Sequence, residues 1–219
     1  MIEIAAVSKA FGSVHALRNV SLRLEPGERV AFVGANGSGK TTLLRALLGL
    51  LRFSGRITVH GLDVSRDPVH ALAHVAYIPQ VAPPIEASVQ EVVRAHATLR
   101  GIDPSAVTAC ANRLGLDLNA TRRARFRDLS GGMRQKLLAS LALATEASVL
   151  VCDEPTANLD IAARAAFFEQ LAERPRDGIS IFCSHRLEEV TGFVDRVVEL
   201  CEGEIVASDR PCLLRAVAS

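Results

Sequence analysis

Arg29-Val30-Ala31-Phe32-Val33 runs straight into Gly34-Ala35-Asn36-Gly37-Ser38-Gly39-Lys40-Thr41-Thr42, and a helical pattern covers Thr41–Leu51. The glycine-rich stretch fits G-x-x-x-x-G-K-[ST] in its strand, loop, helix setting. Small residues let successive backbone N–H groups turn inward around phosphate oxygens, and the helix that follows presents its positive end to the same anion. Lys40 adds a point charge, and the Thr41 hydroxyl is a hard oxygen suited to Mg²⁺. With the Gly, Lys, Ser and Thr content of this chain, a chance match has a probability of about a few in a thousand. The stretch therefore predicts a nucleotide phosphate cradle built from Gly34, Asn36, Gly37, Ser38, Gly39, Lys40, Thr41 and Thr42.

The same alternation extends outward. Apolar β-branched runs at Arg29–Val33, Val75–Ile78, Val149–Cys152, Ile179–Cys183 and Val197–Leu200 read as strands, several of them apolar throughout, as strands covered on both faces are. Helical patterns at Met133–Thr145 and Ile161–Glu173 follow residues able to cap them. That pattern predicts an α/β fold with a mostly parallel sheet. Ile2–Val7 and Val20–Leu24 suggest an N-terminal antiparallel β edge. From Pro83 to Arg127 the strand signals vanish, and Glu91–Leu99 and Ser105–Leu114 read as helices after proline breaks. The expected organisation is one domain over residues 1–219, with a helical subdomain at about 83–132 inserted into a core of 1–82 and 133–219.

Composition narrows the function classes. At 219 residues, 49% hydrophobic and 22% charged, the chain can bury a sizeable core and is no solvating polymer. Its mean hydropathy is +0.23, yet Arg45, Arg52, Lys136 and Glu146 interrupt the best apolar runs, so no segment reaches the ~18 residues of a membrane-spanning helix. Met1-Ile2-Glu3-Ile4 does not read as a secretory signal, which predicts a protein that stays inside the cell. Lys plus Arg at 25 against Asp plus Glu at 24 leaves no global field to recruit nucleic acid. Cys110, Cys152, Cys183, Cys201 and Cys212 are odd in number and scattered, which favours reduced thiols over disulfides or a zinc site, with Cys152 and Cys183 in the core.

A second constellation is Val149-Leu150-Val151-Cys152-Asp153-Glu154. A strand ending in two carboxylates delivers them to the carboxyl edge of the sheet, where α/β proteins bind ligands. Adjacent strand residues point to opposite sides, so the two acids take different tasks: Asp153 the Mg²⁺ shell, Glu154 the general base for an attacking water. Ser130-Gly131-Gly132 opens an amphipathic helix with Leu137, Leu138 and Leu141 inward, a second helix end suited to an anion. His185 follows an apolar run and can donate to a phosphate oxygen. His70 and His74 stand at i, i+4 spacing without a third ligand, and Arg122, Arg123, Arg125 and Arg127 read as a solvated face.

With Leu129-Ser130-Gly131-Gly132-Met133 ahead of the acidic pair, the chain resembles the ATP-binding subunit of an ABC transporter over essentially its whole length, six motifs standing in family order. The resemblance implies a P-loop NTPase (RecA-like) core, ATP and Mg²⁺ as ligands, and ATP hydrolysis. It implies that Phe11 stacks on adenine and that Gln80 contacts Mg²⁺ or its water. By the same likeness, Ser130 and Gly132 form the signature, Ala157-Asn158-Leu159-Asp160 is the loop after the acids, and His185 reaches the γ-phosphate. It further implies a second ATP-binding subunit meeting the first head to tail, transmembrane permease subunits docked on the helical lobe and Gln80–Ile85, and a place on the inner face of the membrane. Met133-Arg134-Gln135-Lys136 resembles the subgroup serving drug, haem and nitrous-oxide-reductase-type exporters, which implies export. The alternatives are an importer ATPase, or a soluble ATPase of the same type acting on nucleic acid or ribosomes.

Overall fold

The computed structural model describes residues 1–184 and 192–209, which fall into two compact units. The first takes in Met1–Val75, Ala147–Asp153 and the described residues from Arg176 onward; the second comprises Ala76–Glu146 and Glu154–Pro175.

In the first unit, strands β3 (Arg29–Val33), β7 (Val149–Asp153), β8 (Ile179–Cys183), β9 (Arg196–Cys201) and β10 (Glu204–Asp209) lie in the order β10-β9-β3-β8-β7. β9, β3, β8 and β7 run parallel, and β10 returns antiparallel on β9. Every residue of β7 is buried, which is why the four residues before Asp153 are apolar without alternation. Helix α1 (Lys40–Leu47) packs against β7. It ends short of Leu51 because Gly49 takes φ +64° just past it and closes the helix.

The expected antiparallel component is present, and it is a four-stranded sheet of its own in the order β2-β1-β4-β5. β1 (Ile2–Phe11) and β2 (Val14–Leu24) are longer than their apolar cores, and β1 also pairs with β4 (Ser54–Val59), through Ile2 opposite Val59 and Ile4 opposite Ile57. The two-residue β5 (Leu62–Asp63) and the short α2 (Pro68–Ala73) complete this region.

The second unit is mainly helical. β6 (Val75–Ile78) leads into it, followed by α3 (Val89–Arg100), α4 (Pro104–Arg113), α5 (Leu118–Thr121), a 3₁₀ turn at Phe126–Asp128, α6 (Gly131–Ala144) and α7 (Ile161–Glu173). α3 begins with a full capping box: Ser88 Oγ accepts from the Glu91 N–H, and Glu91 accepts from the Ser88 N–H. Val93, Val107, Phe126, Leu137, Leu138 and Leu141 share one buried cluster that holds α3, α4 and α6 together. The basic run before α6 is exposed, and Arg127 pairs with Glu86 at 2.7 Å.

Candidate nucleotide site

Strand β3 delivers Gly34 at φ +142°, where a Cβ would stand 2.2 Å from the Leu200 carbonyl oxygen and 2.7 Å from Ser38 Oγ. At Gly39, φ +107°, it would stand 2.6 Å from the Ala16 carbonyl oxygen. Both ends of the loop are thus closed to any side chain, by space and by backbone conformation. Between them Asn36 and Gly37 are exposed, while Ser38 Oγ is buried with no hydrogen-bond partner among the described residues. Lys40 is only 9% exposed, and its Nζ donates to the carbonyls of Gly34 (2.7 Å) and Ala35 (3.0 Å). No side chain among the described residues caps α1, which leaves its first N–H groups suited to an anion, and Thr41 and Thr42 stand half-buried on its first turn. Asp153, buried, ends the strand against which α1 packs. A buried lysine, uncapped helix N–H groups, an orphaned serine hydroxyl and a threonine hydroxyl suit a nucleotide phosphate; Thr41 and Asp153 are hard oxygen donors of the kind Mg²⁺ prefers.

Phe11 closes β1 with its ring 54% exposed, and Lys9 Nζ lies 4.9 Å from the ring centroid. One aromatic face is thus engaged by a cation.

In the second unit, Glu154 follows β7 with φ +48°, left-handed for a residue with a side chain, and its carbonyl accepts from the Ala157 N–H at 3.2 Å. Gln80 is exposed just after β6. Ser130 is the N-cap of α6, its Oγ accepting from the Met133 N–H at 3.2 Å, and an accepting hydroxyl still has a proton to donate. Gly131 is exposed; at Gly132 a Cβ would come within 3.0 Å of the Asn158 carbonyl oxygen, so the signature glycine lies directly against the loop after the acids. The same helix face carries Lys136, whose Nζ donates to Asp160 Oδ2 at 2.7 Å, while Asp160 Oδ1 caps α7 through the Ala163 N–H. The Lys136 hydrogen bond, with that of Ala163, holds the Asp160 carboxyl below its ordinary range. The structure thus joins Gly132, Asn158 and Asp160. His185 lies outside the described residues.

Two features escaped the sequence: the left-handed Glu154, and Gln135, which is buried and donates to two proline carbonyls. Gln135 sits between Arg134 and Lys136 in a stretch that reads as surface; the residues it touches are distant in sequence. His74 meets the ring of His60 edge-on at 5.0 Å, while His70 pairs with Asp67.

A phosphate loop between a buried strand and an uncapped helix, on a mostly parallel sheet, defines a P-loop NTPase. The ABC transporter family model matches residues 17–157. The sulfate/thiosulfate import ATP-binding protein CysA of Salmonella typhi is 35% identical over 96% of this chain and 60% of its own length. The Nod factor export ATP-binding protein I of Rhizobium etli is 33% identical over 96% of this chain and 68% of its own. A solved ATP-binding subunit of an ABC transporter superposes with a TM-score of 0.88 at 25% identity, covering 99% of this chain and 92% of the other. A dimeric cassette bound to ADP and Pi shares the fold, with a TM-score of 0.82 at 22% identity, over 96% and 99%. The chain belongs to the ABC transporter family. It is an ATP-binding cassette, the part of these proteins that binds ATP with Mg²⁺ and hydrolyses it. It spans 40% to 60% of the length of several curated relatives, and importers and exporters both stand among its matches.

Proposed function

We propose that this chain is the ATP-hydrolysing subunit of an ABC transporter, that it dimerises head to tail on ATP, and that it drives separate transmembrane subunits from the inner face of the membrane. The observation that carries the reading is that one chain has two glycine-bearing helix starts suited to an anion: that of α1 behind the phosphate loop, without a side-chain cap among the described residues, and that of α6 at Ser130-Gly131-Gly132, where Ser130 Oγ takes the Met133 N–H. The family resemblance assigns the second helix end to the nucleotide of a partner.

In this reading the loop from Gly34 to Thr42 and Lys40 hold the phosphates, and Phe11 stacks on the base. Thr41 and Asp153 would hold Mg²⁺, with Gln80 contacting the ion or its water, and the bound cation would supply charge neutralisation at the phosphates. Glu154 takes the proton of the attacking water, and His185 donates to the γ-phosphate. Ser130, Gly131 and Gly132 close over the partner's ATP, and Asp160 steadies the loop that follows Glu154. No helix among the described residues is long and apolar enough to cross a membrane, which supports a path carried by other polypeptides.

Glu154→Gln tests the chemistry and the dimer together. ATP turnover should fall by about two orders of magnitude or more, while ATP with Mg²⁺ shifts the variant to a dimer in size-exclusion chromatography. Turnover at the wild-type rate would remove Glu154 from the role of base. Met133 after the two glycines favours export as the direction. Cells lacking the chain should then accumulate a compound inside, and consistent depletion of one would reverse that assignment.

A further inference from the structure

The buried amide of Gln135 ties together the two segments that carry Gln80 and Glu154. Its Nε2 donates to the Pro155 carbonyl at 3.1 Å and to the Pro79 carbonyl at a longer 3.4 Å, using the two hydrogens of one nitrogen. Pro155 directly follows Glu154, and Pro79 directly precedes Gln80. The side chain is 2% exposed, so solvent offers little substitute if either bond is lost. Glu154 holds a left-handed φ of +48°, a conformation that persists in an L-residue only where its neighbours over-determine it. The bond to Pro155 fixes the peptide on its far side, and the Ala157 N–H fixes its own carbonyl. Gln135 also lies on the helix that starts at Ser130, one face turn beyond Gly132, so its amide moves with the signature.

We infer that Gln135 is a positioning residue: it transmits the placement of the signature helix to the general base Glu154 and to Gln80, and sets turnover without touching nucleotide. This rests on the roles proposed above for Glu154 and Gln80. A merely structural buried amide would hold the fold and nothing else.

The experiment compares MgATP turnover, ATP affinity and thermal midpoint of the full chain as wild type, Gln135→Met, Gln135→Asn, Glu154→Gln and the double variant Gln135→Met/Glu154→Gln. Met keeps the length and loses both donors. The kcat of Gln135→Met should fall by about tenfold or more with KM for ATP within about twofold of wild type. Asn keeps the amide one methylene short, and should show the same split at smaller size even if Met perturbs the fold. The double variant should turn over no more slowly than Glu154→Gln alone, since residues acting as one unit are not additive. With wild type active and Glu154→Gln slowed as expected above, wild-type kcat in both Gln135 variants would overturn the positioning role alone. So would a loss shared equally between kcat and ATP affinity that tracks a fall in thermal midpoint. A wild-type chain without turnover would overturn both this inference and the function it rests on.

Discussion

The Lys40 ammonium sits where solvent barely reaches, and it donates to the Gly34 and Ala35 carbonyls of its own loop. Exchange of those carbonyls for phosphate oxygens turns charge–dipole bonds into charge–charge bonds, which are the stronger class. Lys40→Ala should therefore weaken ATP affinity by about two orders of magnitude in a nucleotide titration, and unchanged affinity would remove the loop from the site. This level was the most legible in the sequence, because loop chemistry is local: Gly34 and Gly39 are close-approach positions, Lys40 and Thr41 follow at fixed spacing, and no distant residue is needed to read them. Glu154 shows where local reading stops. Its identity and its place after an apolar strand were visible, whereas its left-handed backbone depends on the turn closed by Ala157 and on the donor from Gln135.

Elements were readable where burial makes a pattern continuous. β7 and β8 are apolar runs in the interior of a parallel sheet, and α7 occupies Ile161–Glu173 as its pattern indicates. β4 was not readable, since Ser54, Gly55 and Arg56 break its alternation and its stabilising partner is the N-terminal strand. The join between α3 and the end of α6 is likewise non-local: His96 shares a hydrogen bond of 2.9 Å with Thr145 Oγ1, and Thr145 donates to the Leu141 carbonyl. Burial, and after it the charge of Arg100, hold the His96 imidazole below its ordinary value of 6.5. The folded protein then favours the neutral ring, and the unfolded chain binds more protons just below pH 6.5. Stability from this group is present above that value and is lost as pH falls through the lowered folded value. His96→Gln keeps an amide for Thr145 and removes the titration. Urea midpoints at about pH 7.5 and about pH 5 should differ less in the variant than in wild type. An identical pH difference in the two proteins would show that His96 carries none of it.

At the scale of the molecule, a charge-balanced chain with positive mean hydropathy and no spanning helix among its described residues has to hold its anion by local devices. The proposed function gives it two, at the starts of α1 and α6, and the start of α6 is joined to the loop after the acids through Gly132 with Asn158 and Lys136 with Asp160. If each signature completes the partner's site, the two helix ends can be disabled separately in different subunits. Lys40→Ala removes a subunit's own phosphate grip and leaves its signature intact; Ser130→Arg places a bulky cation at the cap of α6 and leaves the phosphate loop intact. Either homodimer has two damaged sites. A dimer holding one of each has one site with both lesions and one site with neither. ATPase activity of the purified mixed dimer should therefore reappear at up to about half the wild-type rate per dimer, while both homodimers stay near background. A site completed within one chain predicts the opposite, because every subunit in the mixture then carries a lesion in its own site. Absence of turnover in a verified mixed dimer would thus place the function of Ser130 inside its own subunit and dissolve the head-to-tail arrangement.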